Sequence, residues 1–253
     1  KITNIIWNET RQKIIQSNNE YRIIHKKGHT IWVETNSKRL YDQKGEMHQM
    51  ITVNRDITQR KQAEETLEDK NRKFELLSQS ATKMLDLPDV NSIFKYIINS
   101  IYKLYPTTLI LINSIDETNM MSTLVHVVGL EKSFLQKAIK GIGFNPIEKP
   151  YKLLPTHFEY YKSGNFTEFP NGLASFAGSE FPSIAASFIQ KLFGVHKIYT
   201  IGINKESRLL STMHMFTLNK SSITDGEFIE SFVKQAGIVI QRKMMEEELK
   251  FQA

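Results

Sequence analysis

The stretch VNRDITQRKQAEETLEDK, residues 53–70, begins as an alternating strand and becomes a charged helical pattern within four residues, with no Gly or Pro between. Gly and Pro are the usual punctuation between elements, because they supply backbone angles or a missing donor that ends regular structure. Their absence means that this strand must feed a helix directly. Asp56 and Thr58 are then the side chains placed to receive the first free N–H groups of the helix. Arg55 or Arg60 stands close enough in sequence to pair with Asp56. A strand joined stiffly to a helix passes sheet motion along, so Asp56, Thr58 and Arg60 are candidate coupling residues, suited to relay more than to catalysis.

Upstream of the joint lie EYRIIHK, HTIWVETNSKRLY and MHQMITVNRDI, separated by Lys27-Gly28 and by the turn DQKGE. Alternating aromatic and β-branched residues between two Gly turns predict an antiparallel meander. Residues 2–17 read as a weak helix anchored by Ile6, Ile14 and Ile15. Downstream, Ala63, Leu67, Lys70, Phe74, Leu77, Ala81 and Met84 follow one another at intervals of 4, 3, 4, 3, 4 and 3 residues. This is a heptad seam interrupted by Lys70. It serves either a single helix packing on its own domain or a parallel pair of helices between two protomers, with Glu64, Glu65, Glu68 and Arg72 as flanking charges.

Beyond Pro88 a helix is predicted from an Asp89 cap to Pro106, with Ile93, Tyr96, Ile97, Ile101 and Leu104 on one face. TLILINSID and MMSTLVHVVG are strands that are apolar on both faces, which predicts a sheet covered on each side. EKSFLQKAIK is a short helix. Residues 141–180 are crowded with Gly and Pro and read as long loops holding one short helix and a strand. A helix follows Pro182 and ends at Gly194; VHKIYTIGIN and RLLSTMHMFTLN form a hairpin. A capping box at Thr224 and Glu227 opens a last helix that runs to the chain end. The expected architecture is α+β: a partial meander (1–58), a linker helix (59–86), an antiparallel sheet with helices packed on it (87–240), and a projecting terminal helix (241–253).

Composition removes whole classes of function. The chain has 253 residues and no cysteine, so disulfides, thiolate metal sites, cysteine nucleophiles and thiol-linked tetrapyrroles are chemically impossible. Residues 1–73 carry 15 Lys/Arg against 10 Asp/Glu, out of a net +6, yet the charges are interspersed and build no basic stripe for nucleic acid. No run approaches the roughly 18 apolar residues of a membrane span, and there is no signal-peptide pattern, which suits a cytoplasmic setting. Because the sequence starts at Lys1, a fragment of a longer chain is expected.

The EYR strand, the KGHTIWV hairpin, the DQKGE turn and the closing DITQRKQAEETL together resemble the C-terminal half of a PAS sensor domain. This covers residues 1 to about 67; the family's first two strands and pocket helices have no counterpart. Residues 75–245 resemble a GAF domain through the order of their elements and the ending ITDGEFIESFVKQAGIVIQRKMMEEEL. PAS, GAF and then a charged helix is an arrangement typical of prokaryotic sensor histidine kinases, archaeal ones included. The resemblance implies an input segment that dimerises through its linker and terminal helices, with a kinase output domain following in cis.

Motif by motif, catalysis is not supported. His25, His29, His48 and His157 lack the helical context of a phosphorylated kinase histidine, GIGFNP precedes no helix and so is no nucleotide loop, and no Gly-Gly-Asp-Glu-Phe cyclase signature occurs. Bilin attachment and methionine-sulfoxide reduction in GAF domains both need cysteine. The signature of cyclic-nucleotide GAF domains is also unmet, since neither Asn204-Lys205 nor Asn219-Lys220 is followed by the required Phe and Asp-Glu pair. A non-covalent haem would need a pocket histidine. His126 and His214 are the candidates, with His196 behind them, and each can equally be a hydrogen-bonded sheet histidine. A neutral apolar or aromatic ligand between the sheet and residues 141–180 is the broader expectation. Tyr199, Phe144 and Phe176 are candidate ligand contacts, with Phe166, Phe169 and Phe181 as further walls. A ligand-free scaffold would instead fill that space with side chains.

Overall fold

The structure is a computed structural model that describes residues 16–147, 149–177, 183–206, 208–218 and 221–252. The chain divides into two compact units, Lys1–Arg72 and Lys73–Ala253. The first holds an antiparallel sheet of order β1-β2-β3, made of β1 (Gln16–Ile24), β2 (Thr30–Tyr41) and β3 (Met47–Asp56). Register is fixed by the hairpins, with Tyr21 opposite Val33 and Val33 opposite Asp56. Most of the helix expected over 2–17 lies outside the described residues, and its last two, Gln16 and Ser17, belong to β1 instead, paired with Lys38 and Ser37. Helix α1 (Thr58–Leu85) starts two residues after β3 ends. The division between the units falls inside it.

In the second unit the later part of α1 is followed by α2 (Val90–Leu104), β4 (Thr108–Asp116), β5 (Met121–Val128) and α3 (Lys132–Ile142). The segment expected to be mostly loop then supplies β6 (Pro150–Lys152), α4 (Pro155–Lys162), β7 (Thr167–Glu168) and α5 (Gly172–Ala177). The chain closes with α6 (Ser183–Phe193), the hairpin β8 (Val195–Lys205) and β9 (Arg208–Leu218), and α7 (Gly226–Gln252). The six strands form an antiparallel sheet of order β6-β5-β4-β9-β8-β7.

Period-two alternation divides the strand residues between two cores, as expected for a sheet covered on both sides. Ile110, Ile112, Ile201, Met213 and Met215 face α2, α7 and the end of α1, where Met84, Ile93, Ile97, Phe232 and Ala236 are buried. Leu109, Ile198 and Phe216 face the other way, toward Leu153, Tyr161, Phe169, Leu173 and Ala186. Each Leu, Ile, Met or Phe among them contributes about 1.5–3 kcal/mol when fully buried. Asp89 caps α2 by accepting a hydrogen bond from the Ser92 N–H at 2.6 Å. Asp225, not Thr224, immediately precedes α7, and its carboxylate accepts from Lys73 Nζ at 2.6 Å and the Tyr105 hydroxyl at 3.4 Å. The fully buried Ser80 donates to Gln235 Oε1 at 2.7 Å, tying α1 to α7.

Candidate functional site

The second core is incomplete. Between the sheet and residues 146–176 lies a cavity of about 200 Å³. Leu109 and Leu111 of β4, Leu124 of β5 and Phe216 of β9 form its floor, while Leu153, Leu173 and Phe176 close it from the other side. The α4 helix that bounds the space begins at Pro155, a residue pre-set for the first turn because it lacks only an N–H that would be unused there. Together these elements offer a mostly apolar chamber of the scale that accepts a small ring; a cavity of roughly 150 Å³ with such walls takes up benzene.

His214 and Phe176 are brought together at this cavity, with ring centroids 4.6 Å apart. His214 is 2% exposed, and both of its nitrogens are engaged: Nδ1 hydrogen-bonds Thr200 Oγ1 at 2.7 Å and Nε2 hydrogen-bonds Thr212 Oγ1 at 2.9 Å. Burial, with a smaller push from His157, lowers its pKa to about 3, so the ring is neutral. An imidazole with both nitrogens committed has none left for iron, and a chamber of this size does not take a macrocycle; the residues do not fit a haem. His126 lies on the other side of the sheet. Its Nε2 meets Asn91 Oδ1 at 2.6 Å, its ring edges Phe94 of α2, and burial, then Lys95, lowers its pKa.

Tyr199 also belongs to the helix-side core, where it stacks on Phe166 with centroids 5.3 Å apart. Phe144 is not among the cavity-lining residues and instead lies under Lys149, whose Nζ sits 4.3 Å from the ring centroid. Phe169 packs edge-on against Phe176, His196 is exposed, and Phe181 lies outside the described residues. Sequence reasoning missed Asn113, Ser122, His157 and Tyr161, all of which line the cavity. A lone Asn inside the apolar run TLILINSID was the available signal. Burial raises the Tyr161 phenol pKa far above its ordinary value and lowers that of His157. Among the described residues, no cluster of three or more His, Asp or Glu could hold a metal ion.

The strand-to-helix joint is built from the residues singled out by sequence, with one change of role. Asp56 Oδ1 accepts from the Thr58 N–H at 2.9 Å, and the hydroxyl and N–H of Thr58 hold the Asp56 carboxyl below its usual pKa. The Thr58 hydroxyl does not serve the helix: its oxygen accepts from the backbone N–H of Trp32 on β2 at 2.9 Å, while the Ile57 N–H donates to the Trp32 carbonyl. The joint is therefore stitched to the middle strand of the sheet. Arg60 does not pair with Asp56 but lies 2.6 Å from Glu20 on β1, 3.7 Å from Glu34 on β2 and 3.3 Å from Glu64. Lys61 adds a second bridge to Glu20 at 2.6 Å.

Residues 2–54 match the PAS fold family. No curated protein matches the chain. Among solved structures, the phycoerythrobilin-bound GAF domain of a cyanobacterial phytochrome is 10% identical with a TM-score of 0.52, covering 70% of this chain and 99% of that one. The chromophore-binding domain of an unusual bacteriophytochrome from R. palustris is 9% identical with a TM-score of 0.50, covering 91% of this chain and 74% of that one. At such identities the likeness is one of fold. No described helix is long and apolar enough to cross a membrane. The chain thus joins a segment similar to the PAS fold to a six-stranded α+β unit similar to GAF domains.

Proposed function

We propose that this chain is a non-catalytic sensory relay from a prokaryotic sensor histidine kinase. Residues 1–58 are the PAS portion, 59–86 the linker helix, 87–240 the GAF core and 241–253 a projecting helix toward a kinase domain in cis. The chain works as a cytoplasmic homodimer, binds no nucleic acid, and takes a small molecule in the GAF cavity. The linker seam carries this reading. Its later residues Leu77 and Met84 pack into the core of the second unit, whereas Leu67 and Phe74, seven residues apart, are 59% and 70% exposed. On α7, Ile238, Met245 and Leu249 are likewise exposed at heptad-compatible spacing. Each helix thus anchors to its own domain and keeps a stripe for a second copy.

A route from cavity to output helix is also available. A methyl group placed on Gly202 of β8 would collide with the Tyr161 carbonyl oxygen of α4, and one on Gly237 of α7 would stand 2.5 Å from the Asn204 carbonyl oxygen. Asn204 Nδ2 donates to the carbonyls of Tyr161 and Lys162 at 3.1 and 3.0 Å. The end of β8 is therefore gripped by the cavity-bounding helix on one side and the output helix on the other. Packed elements of this kind shift between discrete arrangements. Sedimentation velocity tests the reading: the chain should run as a dimer, and Leu67→Glu with Phe74→Glu should make it monomeric. A wild-type chain that stays monomeric at high concentration sinks the dimeric relay.

A further inference from the structure

The cavity wall holds a buried carboxamide oxygen without a hydrogen-bond partner, and the buried Tyr151 hydroxyl belongs to the same lining. Asn113 sits on β4 at the point where its register with β5 shifts, and its Nδ2 donates to Ser122 Oγ at 2.9 Å. The other end of the carboxamide, Oδ1, is buried and has no hydrogen-bond partner. Both residues line the cavity, among Leu109, Leu111, Leu124 and Leu153. His214 in the same lining cannot serve it, since both of its nitrogens are held by Thr200 and Thr212. An acceptor left unsatisfied in an apolar wall is unfavourable, and native structures retain few such groups without a reason.

We propose that the cavity takes an uncharged, largely apolar molecule of one ring or two fused rings that donates a hydrogen bond from O–H or N–H to Asn113 Oδ1. This rests on the reading of the cavity as the sensory ligand site and specifies its chemistry. Size follows from the volume of about 200 Å³. Lack of charge follows from the walls: among the described residues no Asp or Glu lines the space, and the one Lys or Arg that does, Lys152, is exposed. An anion would meet the lone pairs of Oδ1, and a cation would be stripped of water among leucines with no carboxylate among the described lining residues to receive it. A donor is what Asn113 calls for, because its unmet atom is an acceptor; a hydroxyl on the ligand can also accept from Tyr151 in the same lining.

Three probes of nearly one size separate the terms: toluene has no polar atom, anisole only accepts, and its isomer p-cresol donates. Binding to the whole chain is measured by titration calorimetry and by amide chemical shifts of cavity residues, for the wild type and for Asn113→Leu. The expected result is that p-cresol binds about tenfold or more tightly than anisole to the wild type, and that Asn113→Leu abolishes the preference while toluene still binds. Hydrophobicity gives p-cresol no advantage over anisole, so such a preference reports the hydrogen bond. If all three bind the wild type alike, or anisole binds best, the donor inference is overturned while the cavity remains a ligand site. If none of them binds or shifts a cavity resonance, the ligand reading falls and the inference with it. The wild-type comparison decides even if the variant does not fold.

Discussion

Strands β3 and β9 are built from similar residues and live in opposite surroundings. β3, MHQMITVNRD, is exposed at all ten positions, with Val53 60% and Met47 52% accessible. β9, RLLSTMHMFTL, is buried at nine of its eleven. Both are regular strands, so alternation and hairpin turns suffice to make the ladder. Burial is decided by what packs on the faces. The three-stranded unit has Val33, Arg39 and Ile57 as its described buried residues and holds its joint with hydrogen bonds and ion pairs. The six-stranded unit is held by two apolar cores.

The sharpest way to break this comparison is to truncate one β-branched apolar side chain to alanine on each side. Ile97→Ala, at a fully buried position between α2 and the sheet, should lower the stability of the second unit by roughly 2–5 kcal/mol. Val53→Ala on β3 should change stability by no more than about 0.5 kcal/mol, since exposed side chains away from special features have little effect. Urea unfolding of both variants measures this. Comparable losses at the two positions would mean that β3 is covered in solution.

A smaller effect separates the units by pH. The folded-state pKa of His214 is lowered to about 3 from an ordinary 6.5, so the unfolded chain takes up the proton first as pH falls. Stability is full above pH 6.5 and declines by about 1.4 kcal/mol per pH unit below it, until the folded pKa is reached. Carboxylates whose folded pKa is lowered, such as Glu20 and Asp56 in the first unit, act below their own ordinary values near 4. Between pH 6.5 and 5 the second unit should therefore weaken alone. His214→Asn should flatten that slope, as read by urea midpoints. An unchanged slope would assign the effect to a half-buried imidazole whose pKa is lowered, His126 or His157.

The sequence made the joint, the two hairpins, the Asp89 cap and the two-faced sheet legible, because each depends on residues close together in the chain. Facing was harder to read. His126 and His214 look equivalent, each between apolar neighbours in a strand, yet pairing across β4 and the register shift at Ile112 and Asn113 put them on opposite sides of the sheet. Short helices within 141–180 were hidden because Pro155 reads as a breaker and acts as a first turn. Asn113 could be seen as an oddity in TLILINSID, but only the fold shows that one end of its amide is unmet. Arg60 pairs with Glu20, forty residues away, and no local rule prefers that partner to Asp56.

That long-range pair supplies the smallest and most specific test. Hydrogen bonds from Lys61 and then Arg60 hold the Glu20 carboxyl below its usual pKa, so its contribution is present above that ordinary value and is lost as acid protonates it through the lowered one. All three groups are solvent-accessible, and salt screens exposed pairs over about 10 Å at 0.1 M. Raising ionic strength at neutral pH, or Glu20→Gln, should therefore speed hydrogen exchange of β1 amides and of the first turn of α1. Amides of β8 and β9, which depend on burial, should not respond. If β1 exchanges at the same rate in low and high salt, the joint is held by the backbone and Thr58 contacts to Trp32 alone. The contrast between a charge-stitched unit and a core-held one would then narrow to those few hydrogen bonds.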